Sequence, residues 1–325
     1  MLNDSTFPKN NSNTNSFKLA QEVIRIRLSQ MLINELIKKK EFKIPIHLAF
    51  GHEAIAVAIS NIMDKDDQLV LSHRNIHYNL ARLKLLKPEL DEYYLKKSGL
   101  AKGILGSMNL ANEDKGIIYT SSILGNNLSV AAGLALGKKV KNETGLVTVV
   151  TGDGAMEEGS FYETLVFLKS NSLSSFIIVE NNDWSLATSI NERRSHIDIE
   201  KLCESIGVDY ERLEGNDVYA YQKKMIELKK YAIENKQPIC IEVNLTTLGF
   251  WRMKTNEFPL GKFVNYHAGN APDINLLDSY NFFIIDNSEK DPVYVLKKYF
   301  DDNLINETSK RILNELKCEL KEEIK

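Results

Sequence analysis

The stretch from Leu146 to Thr188 constrains the fold more than any other part of the chain. Leu146 to Val150 and Ser175 to Val179 are short apolar, β-branched runs, the pattern of strands buried on both faces of a parallel sheet. Between them Phe161, Leu165 and Leu168 recur at helical spacing, with Glu157, Glu158 and Glu163 among the polar positions. A strand, a crossover helix and a second strand in this order predict an α/β protein with a parallel sheet and helices on both faces. In such folds ligands gather at the carboxyl ends of the strands. Gly152-Asp153-Gly154 and Asn181-Asn182 fall there, and the crossover returns Asp153 and Asn182 to the same edge although 29 positions separate them.

Residue type then suggests chemistry. Asp153 offers a carboxylate, Asn182 an amide oxygen, and the turn after Asn182 can aim a main-chain carbonyl inward. Hard oxygen ligands in small number suit Mg²⁺, whose other positions are filled by water and phosphate. Gly152 and Gly154 allow close backbone approach, and the amides of Gly154 and Ala155 are expected to open a helix amino terminus, where anions bind. Gly-Asp-Gly alone is equally a tight turn closing an ordinary α/β strand.

Taken together, Gly-Asp-Gly, the spacing and the terminal Asn-Asn resemble the thiamine diphosphate motif. The surrounding GDGAMEEGSFYE and VENNDWSLATS are similar to the alpha subunit of the decarboxylating component of 2-oxo acid dehydrogenases. The resemblance implies that Asp153 and Asn182, with the carbonyl of Trp184, hold Mg²⁺. It also implies that Gly152, Gly154 and Ala155 meet the cofactor's diphosphate. Within the same resemblance, which runs from about residue 17 to 245, Pro45 to Ala54 is like a segment whose histidine lies over the thiazolium ring. That role falls on His47, and imidazole is suited to it because it exchanges protons near neutral pH. His52 stands where the family has Gln.

After a strand at Leu69 to Leu71, His73-Arg74 resembles the family's aromatic or His followed by a diphosphate-binding Arg, a task for which a guanidinium is shaped. The family histidine two places after that arginine is replaced by Ile76, and His77, one step displaced, is expected to substitute as a catalytic group. Gly99 to Asn112 resembles a glycine-rich loop in which Asn109 replaces a histidine. Ser121 to Gly125 and the small-residue helix Val130 to Gly137 resemble the segment facing the aminopyrimidine ring, with Ser122 and Leu124 as backbone contacts. The likeness fails at Leu248 to Pro272: the loop that lines the path of a lipoyl arm is missing, and Trp251, Phe258, Phe263 and Tyr266 form an aromatic segment followed by His267. Such aromatics more often build interface or core than a substrate stack.

The expected division is a frayed Asn- and Ser-rich tail at residues 1–16, a diphosphate-type domain at 17–272, and a helical extension at 273–325. With 325 residues the chain has no room for a second, pyrimidine-binding domain. In the family that domain supplies the glutamate that activates the cofactor. The resemblance therefore implies a beta-subunit partner in an α₂β₂ assembly, a small-molecule substrate and, where the family's lipoyl path is kept, a lipoyl acyltransferase. A net charge of −3 without a basic face argues against nucleic acid. No apolar run is long enough to span a bilayer, the tail lacks the features of a signal peptide, and three dispersed cysteines read as reduced thiols, so a cytoplasmic location is expected. The leading expectation is a thiamine diphosphate and Mg²⁺ enzyme that decarboxylates a 2-oxo acid and passes on the resulting carbanion or acyl unit. The alternatives are transketolase-like transfer or decarboxylation without a lipoyl arm, in sugar metabolism for example, and a non-catalytic assembly subunit.

Overall fold

A computed structural model describes residues 14–276 and 283–321. Six strands form one parallel sheet: β1 (Gln68–Ser72), β2 (Ile117–Ser121), β3 (Val147–Gly152), β4 (Ser175–Asn181), then, beyond a two-residue hairpin of β5 (Trp184–Ser185) with β6 (Thr188–Ser189), β7 (Asp209–Leu213) and β8 (Pro238–Asn244). Their order is β2-β1-β3-β4-β8-β7. The chain moves outward from β1 to β2 on one side and from β3 onward on the other, so the direction of winding reverses between β1 and β3. Such a reversal opens a crevice at the strand ends. An antiparallel pair, β9 (Phe250–Met253) with β10 (Lys262–Asn265), follows the sheet.

Helices cover both faces. They are α1 (Thr14–Lys38), α2 (Glu53–Ile62), α3 (Ile76–Leu83), α4 (Lys87–Tyr93), α5 (Asn126–Lys141), α6 (Gly159–Ser170), α7 (Ile190–Arg193), α8 (Ile199–Ile206), α9 (Val218–Asn235), α10 (Pro292–Val295) and α11 (Asp302–Lys321). Alternation along each strand sorts the core. Leu69, Leu71, Phe176, Ile178, Ile239 and Ile241 pack on the side of α1, α2 and α9, whereas Val70, Val147, Val149, Ile177, Val179 and Cys240 pack on the side of α5, α6 and α8. Cys203 and Cys240 are buried free thiols on that second side, and Cys318 is exposed. No helix among the described residues is long and apolar enough to cross a membrane.

Two expectations change. Residues 1–13 of the expected tail lie outside the described residues, and the first helix begins at Thr14, three residues before Phe17. The described part of the expected helical extension is not separate from the domain before it, because Phe283, Val293, Leu296, Phe300, Ile305, Ile312 and Leu316 enter the same core as α1. Under them Arg27, fully buried, donates to both oxygens of Asp291 at 2.9 and 3.0 Å and to Glu53 at 2.6 Å. Burial works against the charged guanidinium, but Asp291 and Glu53 outweigh it and hold the Arg27 pKa above its ordinary value.

The glycine-rich loop is fastened from inside. The Glu92 carboxylate, at the end of α4, accepts from the amides of Ala101 and Gly103 at 2.8 Å, Leu105 at 2.9 Å and Gly106 at 3.0 Å. The turn closes against Glu92 so tightly that a Cβ on Gly99 would lie 2.6 Å from the Glu92 backbone. Replacing Glu92 by Ala leaves four amides without their acceptor, and a loss of about 3 kcal/mol is expected. Urea unfolding measures it, and a loss below about 1 kcal/mol would mean that the loop holds itself.

Candidate functional site

The crevice predicted by the sheet order is a cleft at the carboxyl ends of the strands, the usual place for a ligand in such a fold. Each wall is a strand end. β1 contributes Ser72, His73 and Arg74; β2 is followed by Ser122 and Leu124; β3 ends in Gly152, Asp153, Gly154 and Ala155; β4 contributes Glu180 and Asn182, with Trp184 just beyond. Ten of the residues expected from sequence thus line one cavity: His73, Arg74, Ser122, Leu124, Gly152, Asp153, Gly154, Ala155, Asn182 and Trp184. The Ser122 amide is steadied by the side chain of Asn109 at 3.1 Å, which ties the glycine-rich loop to this wall.

Oxygen donors meet at the ends of β3 and β4. Asp153 is buried, and burial raises its carboxyl above the usual range against the opposing pull of the Arg193 guanidinium. Arg193, which sequence reasoning missed, pairs with Asp153 and also with Glu157 at 2.6 Å. Asn182 is held at both ends of its amide: Oδ1 accepts from the Trp184 amide at 3.0 Å, and Nδ2 donates to Thr247 Oγ1 at 2.7 Å. The second lone pair of Oδ1 remains for a cation. Over Gly152 a Cβ would meet open space, whereas on Gly154 it would strike Ser185 at 2.6 Å. The expected helix amino terminus at Gly154 and Ala155 is corrected to a single 3₁₀ turn, Ala155–Glu157, with α6 starting only at Gly159. Glu157 turns aside to pair with Arg193 and Arg194.

The Thr247 hydroxyl accepts from Asn182, so its own proton goes to His52 Nε2 at 2.8 Å. His52 then carries its proton on Nδ1 and donates it to Glu180 at 3.0 Å. His77 at 3.0 Å and Tyr78 at 2.8 Å donate to the other Glu180 oxygen. Burial works to protonate Glu180, but the imidazoles bonded to it prevail and hold the carboxyl below its usual range. Thr247→Val would strand the amide of Asn182 and is expected to weaken divalent-cation binding about tenfold, as loss of an outer-shell partner does, while Thr247→Ser retains it. Mn²⁺ titration followed by electron paramagnetic resonance is the measurement, and equal affinity in the Val variant would remove Thr247 from this role.

His77 is not in the cleft. It is fully buried behind Glu180, and burial lowers its pKa. The expectation of direct catalytic contact is corrected to one of support. Ile76, the position two after Arg74, is buried in the core as well, so the start of α3 presents neither residue to the cleft. Arg74 is buried as well, donating to the carbonyls of Leu48 and, at 3.0 Å, His267. Its guanidinium braces the cleft wall at a site where a phosphate contact was expected.

His47 sits one layer behind the cleft wall, 4.8 Å ring to ring from His73 and 5.0 Å from His267. Burial, then Arg74, drives His47 down to about 2, His73 to about 3 and His267 to about 4. All three are neutral at physiological pH. His267 enters the site from the segment after β10, for which the sequence offered only a protonatable residue in a divergent stretch.

A parallel sheet with a cleft at its winding reversal, lined by Asp153 and Asn182 from the ends of adjacent strands, defines the class as an α/β protein with a strand-end site. More narrowly, residues 21–247 match the family described as dehydrogenase E1 component, and the chain belongs to that family. It is 27% identical over 197 residues to pyruvate dehydrogenase E1 component subunit alpha of Rhizobium meliloti, covering 61% of this chain and 57% of that one. It is 28% identical over 222 residues to the alpha subunit of an acetoin:2,6-dichlorophenolindophenol oxidoreductase of Bacillus subtilis, covering 68% and 67%. The chain spans about three-fifths of the length of the pyruvate dehydrogenase subunits it resembles. Among solved structures, a transketolase from Campylobacter jejuni shares the fold with a TM-score of 0.55 at 16% identity, over 94% of this chain and 48% of that one.

Proposed function

We propose that this chain is the alpha subunit of a two-subunit thiamine diphosphate- and Mg²⁺-dependent enzyme that decarboxylates a 2-oxo acid and hands on the resulting carbanion or acyl unit. The observation that carries this reading is the convergence of Asp153 and Asn182 on one cleft at the ends of adjacent parallel strands. The residues suit the group on three counts. Asp153 already holds a cationic group, the Arg193 guanidinium; Asn182 has its amide oriented by two hydrogen bonds; and the backbone at Gly152 is open to close approach. Asp153, Asn182 and the Trp184 carbonyl would hold Mg²⁺, with Gly154 and Ala155 on the diphosphate. When bound, thiamine diphosphate supplies the electron sink that stabilises charge beside a former carbonyl.

What the chain itself contributes is placement and a dry, positive environment. Neutral imidazoles of His47, His73 and His267 can each donate or accept a hydrogen bond to a substrate oxygen, and Arg74 adds a positive field without spending a proton. In this reading the active-site role expected of His47 is shared with His73 and His267, which line the cleft in front of it. A beta subunit would bring the activating glutamate and complete an α₂β₂ site; small molecules, and neither nucleic acid nor membrane, are the ligands in this reading.

A second reading, transfer of the fragment to an aldehyde or a proton instead of a lipoyl arm, is favoured by the β9–β10 hairpin. It stands where relatives are expected to line the arm's path, and it exposes Phe258, Leu260 and Phe263. Co-expression with the beta subunit and calorimetry with thiamine diphosphate and Mg²⁺ test the main proposal; absence of binding would favour a subunit kept for assembly. Turnover of a 2-oxo acid with and without a lipoyl-bearing domain separates the two acceptor readings.

A further inference from the structure

Three imidazoles meet at one wall of the cleft, His73 and His267 lining it and His47 behind them, with their ring nitrogens unused. His47, from the loop between α1 and α2, His73, from the end of β1, and His267, after β10, bring ring nitrogens within 4.8 Å of one another. Among the described residues, none of the three has a hydrogen bond to its ring. His47 is 7% exposed, and its buried Nδ1 has no partner. Buried polar nitrogens normally find one, so the trio is built around something else.

The geometry points to a second cation site, made of nitrogen where the first is made of oxygen, in which His47, His73 and His267 together bind one borderline transition-metal ion such as Zn²⁺. A three-imidazole set with an open fourth position is a known arrangement for Zn²⁺, and the lack of a carboxylate in it disfavours Mg²⁺ and Ca²⁺. Nitrogens at about 2.0–2.1 Å from a tetrahedral ion stand roughly 3.4 Å apart, and rotation of the His73 and His267 rings, which are less buried than His47, would close that gap. All three rings are neutral, so their lone pairs are free and binding displaces no proton. Arg74 faces the same space and opposes a dication. Its guanidinium is turned to two backbone carbonyls, which sets the expected affinity in the micromolar range and not the nanomolar. The other histidine cluster, His52, His77 and Glu180, is a poor rival because its members already bond one another at 3.0 Å. Resting on the function proposed above, an ion at this place would compete with substrate for the same imidazoles and act as an inhibitor.

The test uses the full chain in excess Mg²⁺, titrated with Co²⁺ and then with Zn²⁺. Expected are one Co²⁺ per chain, the visible absorption of a four-coordinate nitrogen site, and its displacement by one Zn²⁺. His267→Ala and His73→Ala should each weaken Co²⁺ binding at least about tenfold with circular dichroism unchanged. Asp153→Ala should leave the band intact, which separates this site from the oxygen site. No band, a band that survives His267→Ala at full affinity, or a band lost in Asp153→Ala would each overturn the assignment. Because the readout is Co²⁺ absorption, the result stands whether or not thiamine diphosphate binds.

Discussion

Asp153→Ala is expected to abolish Mg²⁺-dependent uptake of thiamine diphosphate, weakening it by more than about 100-fold, while leaving the fold intact. A directly ligating carboxylate should cost more than the roughly 10- to 100-fold of an outer-shell partner. The reason the protein should survive lies in the same geometry. Asp153 is a buried acid whose one strong partner, Arg193, keeps Glu157 when Asp153 is gone, so no charge is left alone in the interior. Asparagine at this position is the informative companion, retaining an oxygen but not the charge, and should fall between wild type and alanine. Calorimetry with the beta subunit present, in parallel with thermal melts, reads both halves of the statement. Equal affinity in the alanine variant would take the metal away from this carboxylate and with it the proposed chemistry.

Asp291→Ala should be the most destabilising single change, by about 3–5 kcal/mol, the usual cost of leaving one member of a buried ion pair without its partner. Asp291 is wholly buried and accepts from both ends of the Arg27 guanidinium. It also accepts from the amides of Ile285 at 2.6 Å, Asp286 at 3.1 Å and Val293 at 2.8 Å. The same change would leave Arg27 with Glu53 as its one carboxylate beside the Phe283 carbonyl at 2.8 Å, and Glu53 holds the Gly51 amide at 2.8 Å just before His52. A fall in midpoint of roughly 10 °C is expected in a thermal melt. A shift under about 2 °C would show that the network is dispensable.

How much of this was readable beforehand depends on where the information sits. β3, α6 and β4 were plain, because strands buried on both faces are written as continuous apolar runs and the helix between them repeats at 3.6. The short strand β2 was not singled out, since Ile117–Ser121 follows a polar turn and pairs on one side only. The β9–β10 hairpin was hidden for a related reason: its aromatics lie in a stretch with no family counterpart, and alternation over four residues is too short to distinguish from irregular chain. In the site, Asp153, Asn182 and Arg74 came from motif and strand end. Arg193 could not, because Glu-Arg-Arg in a loop reads as solvated charge and only folding carries it to Asp153, 40 positions away. His77 departs from its expected place because the start of α3 faces the interior, where Ile76 and His77 are both buried. Thr247 and His52 carry no signal of their own; their meaning lies in a chain of hydrogen bonds that the sequence does not write.

The pairing of Arg27 with Asp291 joins positions 264 apart, and it has a bearing on how this protein is made. While the ribosome is still translating the second half, α1 must wait with a charged side chain meant for the interior and an apolar flank meant for a helix not yet synthesised. The sheet can assemble in the meantime, but the N-terminal helix has its final neighbours only after residues 283–321 emerge. Nascent chains stalled before that point are therefore expected to be the form in which this protein is most open to chaperones and to proteases.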